Sequence, residues 1–183
     1  SVQLSRELIA GIRDHGTHQY PHECCGFLLG TADRERKSVR RLLAAENEVI
    51  ATAGGKQALY NTAMVLYGPG DEVITHAPYW PTIPEQIKLT GATPVIVHTR
   101  PEDGFAIHPD AIIAAITPRT KAIIPVYLAG KPVDMDRLYA IAARHKLRVI
   151  EDAAQAIGST WRSKPIGSFG DFVSFSFQAN KNI

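Results

Sequence analysis

From Glu48 onward the sequence keeps one rhythm: a short run rich in Val and Ile, about three turns of amphipathic helix, then another apolar run. "EVIATAGG" (48–55), "DEVITHA" (71–77), "TPVIVHT" (93–99), "KAIIPVYL" (121–128), "RVIEDAA" (148–154) and "DFVSFSF" (171–177) read as strands, the first ending in paired glycines. Between them "KQALYNTAMVLYG" (56–68), "TIPEQIKLTG" (82–91), "HPDAIIAAI" (108–116) and "DMDRLYAIAARHK" (134–146) read as helices. In the last, Asp134 suits the N-cap, and Met135, Leu138, Tyr139 and Ala142 share a face. Strands spaced by helices of this length require crossover connections, hence an α/β fold: a mainly parallel sheet with helices on both faces. In such sheets ligands bind beyond the carboxyl ends of the strands, so the residues just after each strand are the ones to inspect.

Four features sit there. Gly54, Gly55, Lys56 and Gln57 form a strand-to-helix turn whose backbone amides suit a phosphate, although the spacing is neither a Walker loop nor GxGxxG. "PYWP" sets Tyr79 and Trp80 at a strand end, where an aromatic can wall a planar ring or simply pack in the core. Glu151, Asp152 and Gln155 follow "RVI"; a carboxylate there needs a partner such as a metal, an arginine or a protonated ring nitrogen. Ser174, Ser176 and Lys181 come last, and Lys181 is either a solvated surface charge or a reactive amine. A plain structural role fits each one alone. Together, a phosphate cradle, a ring wall, a carboxylate and an amine on one side of a sheet match the needs of pyridoxal 5'-phosphate (PLP).

Two stretches also resemble known enzymes. "ATAGGKQALYNTAMVLYGPGDEVITHAPYWPTIPEQIKLTGATPVIV" is similar to the large domain of aspartate-aminotransferase-like proteins over about 49–120. That likeness implies phosphate contacts from Gly55, Lys56 and Gln57, mainly through backbone amides, and stacking by Trp80. "TKAIIPVYLAGKPVDMDRLYAIAARHKLRVIEDAAQAIGSTWRSKPIGSFGDFVSFSFQANKNI", about 118–183, resembles the DegT/DnrJ-type sugar aminotransferases through E-D-A-A-Q-A, G-S-x-G-D and F-S-F-x-x-x-K-N. It implies Asp152 on the pyridine nitrogen, Gln155 on the ring face or phenolic oxygen, Ser176 on the phosphate and Lys181 as the Schiff-base lysine. Both parents are fold-type-I PLP enzymes, so residues 49–183 are expected to form part of such a large domain. The expected reaction moves an amino group between an amino acid and a keto acid or keto sugar, possible across a homodimer. The same likeness implies that the family continues past the lysine, which leaves a truncated site and an open sheet edge. The alternative is a module that binds a phosphorylated ligand without turning it over.

Residues 1–48 read as a short α+β segment. "LSRELIAGIRDHG" suits a helix, "CCGFLLG" a strand closed by Gly30, and "RLLAAENE" either. "YPHECCGFLLG" resembles the opening of a JAMM/MPN metallopeptidase, which would make Glu23 the acid beside a zinc-bound water and the chain a mosaic with joins near 48 and between 105 and 125. No H-x-H follows, and His15, His18, His22 and Glu23 match no zinc spacing, so no metal is expected. Adjacent Cys24 and Cys25 make no disulfide framework, the net charge of +2 with one basic run (34–41) does not point to nucleic acid, and no apolar run is long enough to span a membrane. The expectation is a cytoplasmic protein.

Overall fold

The computed structural model describes residues 2–3, 25–32, 37–45, 50–170, 172–178 and 181. Contacts divide the chain into two units, Ser1–Ala51 and Thr52–Ile183.

In the first unit, β1 (Val2–Gln3) pairs in parallel with β3 (Lys37–Ala45), and β2 (Cys25–Ala32) pairs antiparallel with β3 from Cys25↔Ala45 to Ala32↔Lys37. From Cys25 on, "CCGFLLG" is thus strand as expected, though the strand runs past Gly30, where the register shifts. The ambiguous "RLLAA" is strand, and Lys37–Arg41 of the basic run belongs to the ladder. The helix expected over 4–16, and His15, His18, His22, Glu23 and Cys24, lie outside the described residues.

The second unit is the expected α/β sheet. Its elements are α1 (Gly55–Leu66), β4 (Glu72–Ala77), α2 (Thr82–Leu89), β5 (Thr93–His98), α3 (Pro109–Ala115), β6 (Thr120–Ile124), α4 (Met135–His145), β7 (Arg148–Asp152), a small β8–β9 hairpin (Thr160–Trp161, Lys164–Pro165) and β10 (Phe172–Ser174). Five strands lie in the order β10-β7-β6-β4-β5, every pairing parallel.

Alternation along each strand divides the core in two. Val73, Ala122, Ile124 and Ile150 face Leu59 and Ala63 of α1 and Ile83 and Ile87 of α2. Their neighbours Ile74, Ile123 and Val149 face Ile112 of α3 and Leu138, Ile141 and Ala142 of α4. Each fully buried Ile or Leu contributes about 1.5–3 kcal/mol relative to exposure, so the two layers supply the bulk of the stabilisation. Asp134 caps α4 as expected, its carboxylate accepting from the Arg137 N–H at 3.1 Å.

Three expected strands are shorter than their apolar runs, each for a local reason. Ile50–Ala53 form no ladder; instead the Thr52 hydroxyl donates to Gly54 O at 2.9 Å and the Ala53 N–H to Gln57 Oε1 at 2.6 Å. Such side-chain bonds compete with pairing. β6 ends before Pro125, which has no N–H for the ladder; a single bridge, Val126↔Asp152, carries on. β10 stops at Ser174, where Ala153 N donates to Ser174 O at 3.0 Å as the chain after β7 turns away.

His76, near the end of β4, is buried, and its Nε2 accepts the Val126 N–H at 2.8 Å while Nδ1 has no partner among the described residues. Burial pushes the imidazole down from 6.5 to about 4. Between those values only the unfolded chain binds the proton, so the stability held above pH 6.5 is lost as pH falls toward 4. A shift of this size is worth up to about 3 kcal/mol. Chemical denaturation from pH 7 to 4 should show that loss in the wild type. In His76→Gln, which keeps an acceptor for Val126 but cannot titrate, the loss should shrink by most of that amount.

Candidate active site at the carboxyl edge of the sheet

Asp152 and Ser174 are register partners on β7 and β10. Ile150 and Phe172 belong to the α1 side of the core, so two residues on, Asp152 and Ser174 point to that side as well. There the first turn of α1 meets them. The Ser174 hydroxyl donates to Gly55 O at 3.1 Å, and a Cβ on Gly55 would come within 3.0 Å of Phe175 O and 3.2 Å of Ser174 Oγ. A side chain there would have to push β10 back by a few tenths of an ångström. Gly54 before it has φ 99° and ψ 162°, a conformation essentially reserved for glycine.

The helix end is therefore an anion cradle built close to a carboxylate. The Gln57 amide is bonded to Gly54 O at 3.0 Å. Of the three amides expected to meet a phosphate, those of Gly55 and Lys56 precede the first bond of the helix, while that of Gln57 is already used. The Gln57 side chain also turns back to Ala53. Ser176 is buried, its Oγ accepting the Gln178 N–H at 3.4 Å.

Trp80, 46% exposed, has two cations over its ring: Lys181 Nζ at 4.6 Å and Lys56 Nζ at 5.1 Å from the centroid. The backbone of Lys181 is tied by its N–H to Gln178 O at 3.0 Å. Asp152 is buried, with Oδ1 accepting the Ala154 N–H at 3.2 Å. Burial raises its carboxyl above the usual range, and the Ala154 N–H and the charge of Lys181 pull it back. A desolvated carboxylate of this kind is favoured by a further positive group, such as a protonated ring nitrogen.

Gln155 is also tied to the protein backbone. Its Oε1 accepts the Ala129 N–H at 2.8 Å, which leaves the Nε2 hydrogens for another acceptor. Ala129 is held at φ 51°, ψ 32°, a left-handed conformation that L-residues with a Cβ resist. The following Gly130, φ 74°, passes so near the chain that a Cβ would lie 2.9 Å from Gln155 O.

Of the eight residues marked in the sequence, Lys56 and Lys181 meet at the Trp80 ring, the Lys181 charge acts on Asp152, and Gly55 meets Ser174, the register partner of Asp152; Gln57 turns to Ala53, Gln155 to Ala129, and Ser176 accepts from Gln178. Ser174, noted in the sequence without a role of its own, bonds the Gly55 turn. Its period-two relation to Phe172 is the signal for that contact. Among the described residues no three His, Cys, Asp or Glu side chains group as metal ligands, and no helix is long and apolar enough to cross a membrane.

The donor set fits PLP on the chain's own geometry: a cradle that a Cβ would fill, two helix-end amides, a buried carboxylate, an aromatic face and a primary amine.

Comparison with known proteins gives the same direction. The DegT/DnrJ/EryC1/StrS aminotransferase family matches over residues 35–183, without a break at 48 or between 105 and 125. A Streptococcus pneumoniae protein described as a sugar aminotransferase, in its PLP form, is 37% identical with TM-score 0.63, over 70% of this chain and 36% of its own. DesV of S. venezuelae, in complex with a ketimine intermediate, is 42% identical with TM-score 0.61, over 68% of this chain and 33% of its own. A single mutant of Thermus thermophilus aspartate aminotransferase is 37% identical with TM-score 0.52, over 55% and 28%. The chain spans about a third of the length of these structures.

Two substitutions check this geometry. Gly55→Ala inserts a methyl between α1 and β10 and should cost about 1–3 kcal/mol in denaturant unfolding. Ala129→Gly removes the left-handed strain and should stabilise by about 0.5–1 kcal/mol in the same assay, leaving the Gln155 bond in place.

Proposed function

The chain belongs to the DegT/DnrJ/EryC1/StrS aminotransferase family, and from that premise we propose that it takes part in PLP-dependent transfer of an amino group between an amino acid and a keto compound. The Streptococcus pneumoniae relative, described as a sugar aminotransferase, favours a keto sugar over a keto acid as acceptor. The observation that carries the reading is the interaction of Lys181 with Asp152 beside the Trp80 ring and the amide end of α1.

When bound, PLP supplies an electron sink for negative charge on the carbon that carries the amino group. The residues divide the remaining work. The amides of Gly55 and Lys56 and the Ser176 hydroxyl hold the phosphate. Asp152, ionised, keeps the pyridine nitrogen protonated, and that proton in turn offsets the desolvation of the carboxylate. Trp80 forms one wall, with Gln155 directing its Nε2 hydrogens to the ring face or phenolic oxygen. Lys181 supplies the amine that holds the cofactor and moves the proton at the reacting carbon.

A homodimer belongs to the same proposal. Met64 and Val65 of α1 and Leu89 of α2 are more than half exposed, with Tyr60 beside them, an apolar surface that a second copy would cover. We place the protein in the cytoplasm and assign it no metal, membrane or nucleic-acid role. For residues 1–48 no activity is proposed, because their likeness to a JAMM/MPN metallopeptidase rests on residues 20–30 alone.

Mixing the chain with PLP, reducing with borohydride and mapping the adduct should label Lys181, and Lys181→Ala should lose that label; no adduct on Lys181 would end the proposal. Asp152→Asn should bind PLP roughly tenfold to a hundredfold more weakly, the usual weight of a hydrogen bond to a charged group. Adding an amino acid to the loaded chain should convert its absorption to the pyridoxamine form. Retained PLP with no conversion would favour the binding-only alternative.

A further inference from the structure

Glu151 precedes Asp152 on β7 and therefore points to the opposite face, toward α4. It has no exposed surface. The Tyr139 hydroxyl donates to Glu151 Oε1, whereas Oε2 is buried with no hydrogen-bond partner among the described residues. Tyr127 stands next to the carboxyl, and its hydroxyl has a second acceptor in Met135 Sδ at 3.2 Å. An ionised carboxylate offers acceptors on both oxygens and donates nothing, so with the Tyr127 hydroxyl turned to Met135 one oxygen stays unmatched in the core. The side chains that act on Glu151 are the two tyrosines, neither of them a cation, and Val173 of β10 is its register partner. Burial drives the Glu151 carboxyl up, more than the two hydroxyls draw it down.

We propose that Glu151 is a positioning residue held as the neutral acid: Tyr139 O–H donates to Oε1, Oε2–H donates to the Tyr127 oxygen, and Tyr127 O–H donates to Met135 Sδ. Every donor in this chain then has an acceptor. The arrangement leaves the negative charge at this strand end to Asp152, whose ionisation a second charge one residue away would oppose. It also fixes the approach to β10. A Cβ on Gly170 would lie 1.8 Å from the Tyr139 hydroxyl, so the segment leading to β10 passes directly over the bonded tyrosine. The benefit to Asp152 rests on its proposed place at the cofactor; the protonation of Glu151 does not.

Infrared spectra of the full chain in D2O at pH 7 should contain the C=O stretch of a protonated buried carboxyl, and Glu151→Gln should remove it. Absence of the band in the wild type overturns the proposal. In Tyr127→Phe the band should move to higher frequency as the acid loses its acceptor; an unmoved band also overturns it, and this variant serves if Glu151→Gln does not fold. With carboxyl-labelled Asp, NMR titration should give Asp152 the same proton affinity in wild type and Glu151→Gln. A fall of about tenfold in the variant would mean that a charge had been removed, which sinks the idea. These readouts use the chain without PLP, so a missing borohydride adduct would defeat the cofactor assignment and leave this one standing.

Discussion

Parallel pairing of β7 with β10, with Ser174 set opposite Asp152, is the constraint from which the site follows. A slip of β10 by one residue against β7 would turn Ser174 to the α4 face. Val173 would take its place, and the hydroxyl that reaches Gly55 O would be lost. The register is held by apolar burial on both sides, with Ile150 and Phe172 against the α1 layer and Val173 against the α4 side. The chemistry at the strand ends is thus positioned by packing several residues earlier.

The same pairing gives two adjacent acids different surroundings. Both are buried, but Asp152 feels the Lys181 charge, whereas Glu151 lies between two phenols. Burial raises both carboxyls, and only at Asp152 does a cation pull against it. Environment separates the two, although they are the same functional group one peptide apart.

Much of this was legible in the sequence. The order of strands and helices from β4 onward follows from period and from β-branched composition, and the placement of the site follows from the rule that parallel sheets bind at their carboxyl ends. The limits of the strands were less legible, since a run such as "KAIIPVYL" does not reveal that pairing fails at Pro125, and "EVIATA" does not announce that Thr52 and Gln57 will bond the local backbone instead. The bond of Gln155 to Ala129 was hidden for a similar reason: it depends on a left-handed alanine that no propensity predicts. Ser176 drew attention through its motif, whereas Ser174 earned its contact through strand geometry.

Trp80 has a consequence of its own. The chain contains two tryptophans, and the other, Trp161, bonds Asp136 through its indole N–H at 3.1 Å. Trp80 lies with two ammonium groups over its ring. A planar guest that slides against that ring displaces cations from its face and replaces them with a conjugated absorber. Its emission should therefore respond to occupancy while Trp161 stays quiet, which gives the protein a built-in optical gauge of its own cleft.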